Sequence, residues 1–318
     1  MYILGFDIGG TKCAVITARW DGKKVQLLKK EKCATEKGVS PYAVIDKLIA
    51  MADGILCEKP DAIGISCGGP LDSEKGIIMS PPNLPGWDNV EIVKHIKKHY
   101  GVPVYLQNDA NACAVAEWKF GAGRGTRNMV FLTFGTGMGA GLILNGKLYT
   151  GANDNAGEAG HIRLENTGPV GYGKAGSFEG FCSGGGLAQS GYAKALRKAE
   201  KGEYPAYFKK GMTAADVNAK TIADAADAGD ETAREVYRVC GEYFGRGLSV
   251  IIDLLNPELI VIGSIFARSS NLLWEPAKSV IEKEALGISA ACCRVTAAEL
   301  GENIGDYAAV AAALLGEE

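Results

Sequence analysis

The 318-residue sequence has no surplus of basic charge: 34 Lys and Arg stand against 37 Asp and Glu, a formal net charge of -3. That balance leaves no electrostatic footprint for nucleic acid and no polybasic patch for a membrane. No apolar run is long enough to span a bilayer, and Asp7 breaks the first one too early for a secretory leader. There is no C-x-x-C pair among the nine cysteines, and Cys292 and Cys293 are adjacent, a poor geometry for a bridge. Reduced thiols in a cytoplasmic protein are expected. No G-K-[ST] opens a helix, which excludes a Walker A loop, and the glycine runs lead into strands, which excludes a dinucleotide fingerprint.

What is present is an ordinary globular composition, 47% hydrophobic, with 43 glycines gathered into a few turns. The opening "YILGFDIGGTKCAVIT" reads as strand, glycine turn, strand. Asp21-Gly22 then supplies a hairpin turn to a third strand over 24–31. Ser40 and Pro41 start a helix. "AIGISC" (62–67) and "VPVYLQ" (102–107) are buried strands, with a helix around Ile92, Val93 and Ile96 between them, and 110–119 is helical. The second half begins alike: a strand over 128–134, the turn "GTGMGAG" from Gly135, and a hairpin at Asn145-Gly146. A long amphipathic helix is predicted over Glu231–Leu254, a buried strand over 259–264, a strand near Val295 and a last helix over 307–315. The repeated order predicts two lobes, each offering a glycine turn to a cleft, where ligands are favoured.

Backbone N–H groups at Gly9 and Gly10 and the Thr11 hydroxyl suit phosphate oxygens, as do Gly135, Thr136, Gly137 and Gly139. The bland alternative is a pair of plain turns. Asp7 beside phosphate makes sense only with a cation between them, and Mg²⁺ held through water is the obvious one. Asp109 ends a strand and opens a helix; from the residues alone it, or Asn108, reads as an N-cap. Asn83, Asn108, Glu158, His161 and Glu179 mix amides, carboxylates and an imidazole, the set that suits a ligand with many hydroxyls.

"DIGGTK", "NLPGW", "NDANACAVAE", "GTGMGAGLILNGKLYTG" and "GEAGH" stand in the order and spacing of the ROK family, which the whole chain resembles. That family joins bacterial sugar kinases and sugar-responsive repressors on an α/β actin/hexokinase-like fold of two lobes with an interlobe cleft. The resemblance implies an N-terminal lobe over 1–115, rejoined by a C-terminal helix over 301–318, and a larger lobe over 116–300. It implies ATP with Mg²⁺, the nucleotide held by Asp7, Gly9, Gly10, Thr11, Lys12, Gly135, Thr136, Gly137, Gly139 and Gly263. It makes Asp109 the general base and gives the sugar to Gly69, Asn83, Asn108, Asp109, Glu158, His161 and Glu179. Gly68, Gly69 and Pro70 match the turn beside that pocket, and Trp87 is expected to pack beneath its loop. Repressor relatives carry a helix-turn-helix ahead of the first glycine turn; only six residues precede Asp7, so a kinase, as a homodimer, is expected.

The sequence departs from the family's zinc loop. Val170, Tyr172 and Ser177 stand where relatives have cysteines, so no structural zinc is expected. Tyr172 and Phe178 are then the expected packing residues of the loop, which brings Glu179 to the sugar.

Overall fold

The computed structural model describes residues 1–317. The chain forms two compact units: one of Met1–Arg127, Gly141–Ala156 and the segment from Glu299, the other of Asn128–Ala140 and Gly157–Ala298.

The first unit starts with Tyr2–Ile8 (β1), Lys12–Trp20 (β2) and Val25–Ala34 (β3), paired antiparallel in sequence. Every residue of β1 except Asp7 is buried, because both faces of the strand are covered. β3 is instead an edge, blunted by Lys29, Lys30, Glu31 and Lys32. Helix α1 (Pro41–Ile55) begins at Pro41, with Ser40 in the N-cap position but making no side-chain bond; the fixed φ of proline, not a hydroxyl, sets this start. Ala62–Cys67 (β4) follows, then a small hairpin of Leu71–Asp72 (β5) and Ile77–Ile78 (β6), helix α2 (Ile92–Tyr100), Val104–Asn108 (β7) and helix α3 (Asp109–Phe120). β4 and β7 add in parallel, giving the order β3-β2-β1-β4-β7. Leu4, Phe6 and Ile8 of β1 pack with Val44, Ile45 and Leu48 of α1 and with Ile92 and Ile96 of α2. Trp87 is buried in the same cluster, as expected for a residue under its loop.

The far end of α3 is fixed by a buried carboxylate. Glu117 accepts from the N–H groups of Ala122 (2.8 Å), Glu299 (3.2 Å) and Leu300 (2.9 Å). Three backbone donors satisfy this charge without a cation.

In the second unit Met129–Leu132 (β8) leads to the glycine turn. Ala140–Leu144 (β9) and Lys147–Tyr149 (β10), which from Gly141 on belong to the first unit, form the hairpin read at Asn145-Gly146. Val170–Gly171 (β11) and Lys174–Ala175 (β12) make a second small hairpin, followed by α4 (Phe178–Phe181), α5 (Gly184–Ala199) and α6 (Ala219–Asp227). Helix α7 (Glu231–Leu255) is the long element, capped by Asp230 accepting from Ala233 N–H, with Val236, Phe244, Leu248, Ile251 and Ile252 buried. Leu259–Ile262 (β13) lies parallel to both β8 and Arg294–Ala297 (β14); α8 (Ile265–Glu284) and α9 (Gly287–Cys292) stand between the two later strands in sequence. Helix α10 (Ile304–Ala312) belongs to the first unit and packs on α3, β1 and β4. No helix among the described residues is long and apolar enough to cross a membrane.

Candidate active site

The hairpin of β1 and β2 closes through Gly9 N–H to Lys12 carbonyl, 3.1 Å, and Thr35 N–H reaches the Thr11 carbonyl at 3.0 Å. The sequence needs glycine at position 10 because a Cβ there would run into the backbone carbonyl of Asn83. Asn83, expected at the sugar, therefore sits against the first glycine turn. Thr11, Lys12 and the Asn83 side chain are exposed.

Asp7 is half-buried at the end of β1. Its pKa is pushed up from 3.8 to about 6, first by desolvation and then by the negative charge of Asp306; Lys30, Asp109 and Lys12 act after these, the two lysines opposing the rise. Lys30 is partly spent already, with its Nζ 2.6 Å from the carboxylate of buried Asp306. The neighbourhood thus holds more carboxylate than cation. This fits a divalent ion, which would relieve the charge on Asp7.

Asp109 is the first residue of α3, and Asn108 is the N-cap, its Oδ1 accepting from Asn111 N–H at 2.8 Å. The cap role therefore falls to the neighbour. The Asp109 carboxylate accepts from Ala110 N–H at 2.8 Å, and among the described residues it forms no ion pair. It is open to solvent yet closely hemmed in, and desolvation raises its pKa against the pull of those backbone N–H groups. Behind it Gln107 Oε1 accepts from Asn108 N–H (2.8 Å) and from Asn111 Nδ2 (3.1 Å), while the buried Asn111 Oδ1 has no protein partner. Gly69, beside the cis bond to Pro70, follows the end of β4.

In the second unit the glycine turn ties itself to the strand before it. Thr133 N–H donates to Gly139 carbonyl (2.9 Å), Gly139 N–H donates to Thr133 Oγ1 (2.8 Å), and Gly135 N–H donates to Gly137 carbonyl (3.1 Å). Gly184 N–H, at the start of α5, bonds the Gly135 carbonyl at 2.8 Å. Met138 N–H donates to Glu179 Oε2 at 2.9 Å. Gly263 follows β13, its N–H on the Leu132 carbonyl; Ser264, at φ 50°, has its hydroxyl 3.7 Å from where a Cβ on Gly135 would lie. Thr136 is exposed. Glu158 precedes a 3-10 turn over Ala159–His161, and both Glu158 and His161 are exposed.

The loop before Glu179 corrects one expectation. Tyr172 does not pack: it is 76% exposed at φ 45°, its ring 6.4 Å from that of His161. Phe178 does pack, fully buried against Phe244, and Phe181 stacks on Tyr243 with ring centres 3.5 Å apart. Gln189 of α5 grips Val170 at both its carbonyl (2.8 Å) and its N–H (3.0 Å). Ser177, at a position where relatives have cysteine, caps α4 through Gly180 N–H, and Cys182 donates inward to the Cys240 carbonyl. Among the described residues no group of three or more His, Cys, Asp or Glu is arranged to hold a metal.

The structure thus brings Lys12 and Asp109 within electrostatic reach of Asp7 and seats Asn83 on the first turn. In the second unit it seats Glu179 and Ser264 against the second turn and Gly263 against the end of β8. Sequence reading missed Gln107, Asn111, Glu117 and the Lys30–Asp306 pair. Polar residues inside an otherwise apolar helix, Asn111 and Glu117, carried a signal; Lys30 and Asp306, distant in sequence, carried none.

The ROK family profile matches residues 3–316. A glucokinase from Thermotoga maritima is 30% identical over 311 residues, covering 95% of this chain and 94% of the relative. A ROK family glucokinase from Streptomyces griseus, solved with glucose and AMPPNP, superposes with a TM-score of 0.76 at 28% identity, covering 99% of each chain. A ROK family transcriptional regulator, a homologue of the E. coli MLC protein, superposes at 0.85 with 23% identity, covering 99% of this chain and 78% of its own, a likeness of fold alone.

Proposed function

The chain belongs to the ROK family, and from that premise we propose that it is an ATP-dependent sugar kinase acting on a hydroxyl of a hexose or N-acetylhexosamine. The observation that carries the reading is Asp109: a carboxylate fixed at the start of α3, accepting from a backbone N–H and without an ion pair among the described residues, its pKa raised by desolvation. Such a group suits proton acceptance. In the proposed step the sugar hydroxyl gives its proton to Asp109 as its oxygen bonds to the γ-phosphorus. The bond from that phosphorus to the β,γ-bridging oxygen breaks, and ADP leaves.

Asn108, whose Oδ1 serves as helix cap, keeps its amide N–H₂ for a sugar oxygen. Gly69, Asn83, Glu158, His161 and Glu179 supply the remaining polar contacts to the sugar. Gly9, Gly10, Thr11 and Lys12 in one unit, and Gly135, Thr136, Gly137, Gly139 and Gly263 in the other, take the nucleotide. Asp7 would hold Mg²⁺ through water; the ion supplies neutralisation of phosphate charge. Cytoplasmic residence and a homodimer are part of the same proposal.

The glucokinase name and ligands of the relatives support this reading. The competing one, a sugar-binding protein without turnover, draws on the regulator's shared fold. A coupled ATP-consumption assay over glucose, fructose, allose, N-acetylglucosamine and N-acetylmannosamine separates them. Sugar-dependent ADP release with at least one of these is expected; binding without ADP release would give the second reading the field.

A further inference from the structure

We propose that Glu179 is a positioning residue for the nucleotide as well as a sugar contact. Its Oε2 accepts from Met138 N–H at 2.9 Å, inside the second glycine turn, while Oε1 makes no hydrogen bond among the described residues. The fit around it is close on three sides. A Cβ on Gly137 would lie 2.7 Å from Oε2, and Cβ atoms on Gly160 and Gly171 would lie 3.2 and 2.8 Å from the Cβ of Glu179. The turn, the 3-10 segment carrying His161 and the loop before α4 therefore all meet at this one side chain, and each has a glycine where it does so. Residue 179 is the second residue of α4, which is anchored by buried Phe178 and by Ser177 as cap. The carboxylate is thus delivered from a rigid base.

The consequence rests on the reading of Glu179 as a sugar ligand. One oxygen fixes the turn and the other is available to a sugar hydroxyl, so a sugar that orders this carboxylate also orders the N–H groups meant for phosphate. A side chain that served the sugar alone would leave nucleotide binding untouched; one that holds the turn changes it with no sugar present.

The test compares the full-length protein with Glu179→Ala and Glu179→Gln, since glutamine keeps a carbonyl oxygen for the Met138 N–H. Hydrogen exchange of the Met138 amide, without ligand, is read against Gly139, whose amide Thr133 holds independently. Binding of Mg–AMPPNP without sugar is read by calorimetry. Alanine is expected to speed Met138 exchange and weaken AMPPNP by about tenfold each, and glutamine to stay within about threefold of the parent. The proposal is overturned if alanine leaves both readings unchanged, if glutamine behaves as alanine does, or if exchange rises equally at Gly139. Exchange in the ligand-free protein reports on the turn whether or not the chain is a kinase, so failure here and failure of the ATP-consumption assay are told apart.

Discussion

The two glycine turns occupy matching places, each after a buried strand, yet the residue two positions ahead of each does opposite work. In the second unit that residue is Thr133, and its hydroxyl and backbone are both spent on Gly139. In the first it is Asp7, with Asp306 and Asp109 adding to its charge and its pKa driven to about 6. One turn is closed by a neutral internal bond. The other carries an under-compensated carboxylate, whose charged form burial and the neighbouring carboxylates disfavour. Local order and stored charge are thus divided between two turns of similar backbone.

The largest expected effect comes from Asp109, the proposed base. Asp109→Asn keeps the shape and the helix start, since Asn108 is the cap, and should lower kcat by at least ~100-fold with sugar KM little changed. Steady-state kinetics on the best sugar of the panel measure this; near-normal kcat would leave Asp109 a structural residue. Thr133→Val removes the hydroxyl that ties the neutral turn and should cost about 1 kcal/mol, equally at pH 4 and pH 7, read by urea unfolding. A pH-dependent cost there would erase the contrast between the turns. The smallest effect is expected from chelation. Val170, Tyr172 and Ser177 offer no thiolate, and Phe178, Phe181 and Gln189 hold the loop, so chelator-washed protein should contain no stoichiometric zinc and, once Mg²⁺ is restored, regain its activity. One zinc per chain by elemental analysis would contradict this.

Much of the frame was legible because its signals are local. The apolar run 62–67 is β4 to the residue, and the helical spacing from Glu231 gives α7 to within one residue at its end. Short elements without a period, such as β5, β6, β11 and β12, were not legible, nor was the outward turn of Tyr172 or its positive φ. Residue types at the candidate site could be read from motifs, whereas their pairings could not. Glu179 with Met138, Lys30 with Asp306 and Glu117 with Leu300 join positions far apart in sequence, and no local pattern encodes which donor a buried carboxylate will meet.

The contrast between the turns is tested most directly by the stability of Asp7→Asn as a function of pH. Asp7 has a folded pKa near 6 against an ordinary 3.8, so the folded state holds the proton more tightly. The stability this contributes is fully present below about pH 4 and is lost as pH rises through 6. The rise corresponds to at most about 3 kcal/mol. Urea unfolding of both proteins from pH 3.5 to 8, with and without Mg–AMPPNP, should show the asparagine variant about 1–3 kcal/mol more stable at pH 7 without ligand. The two should converge near pH 4, and Mg–AMPPNP should stabilise the parent more than the variant. Equal stability at pH 7, or a variant that is weaker there and stabilised just as much by Mg–AMPPNP, would contradict the claim that Asp7 is a charge held for a cation.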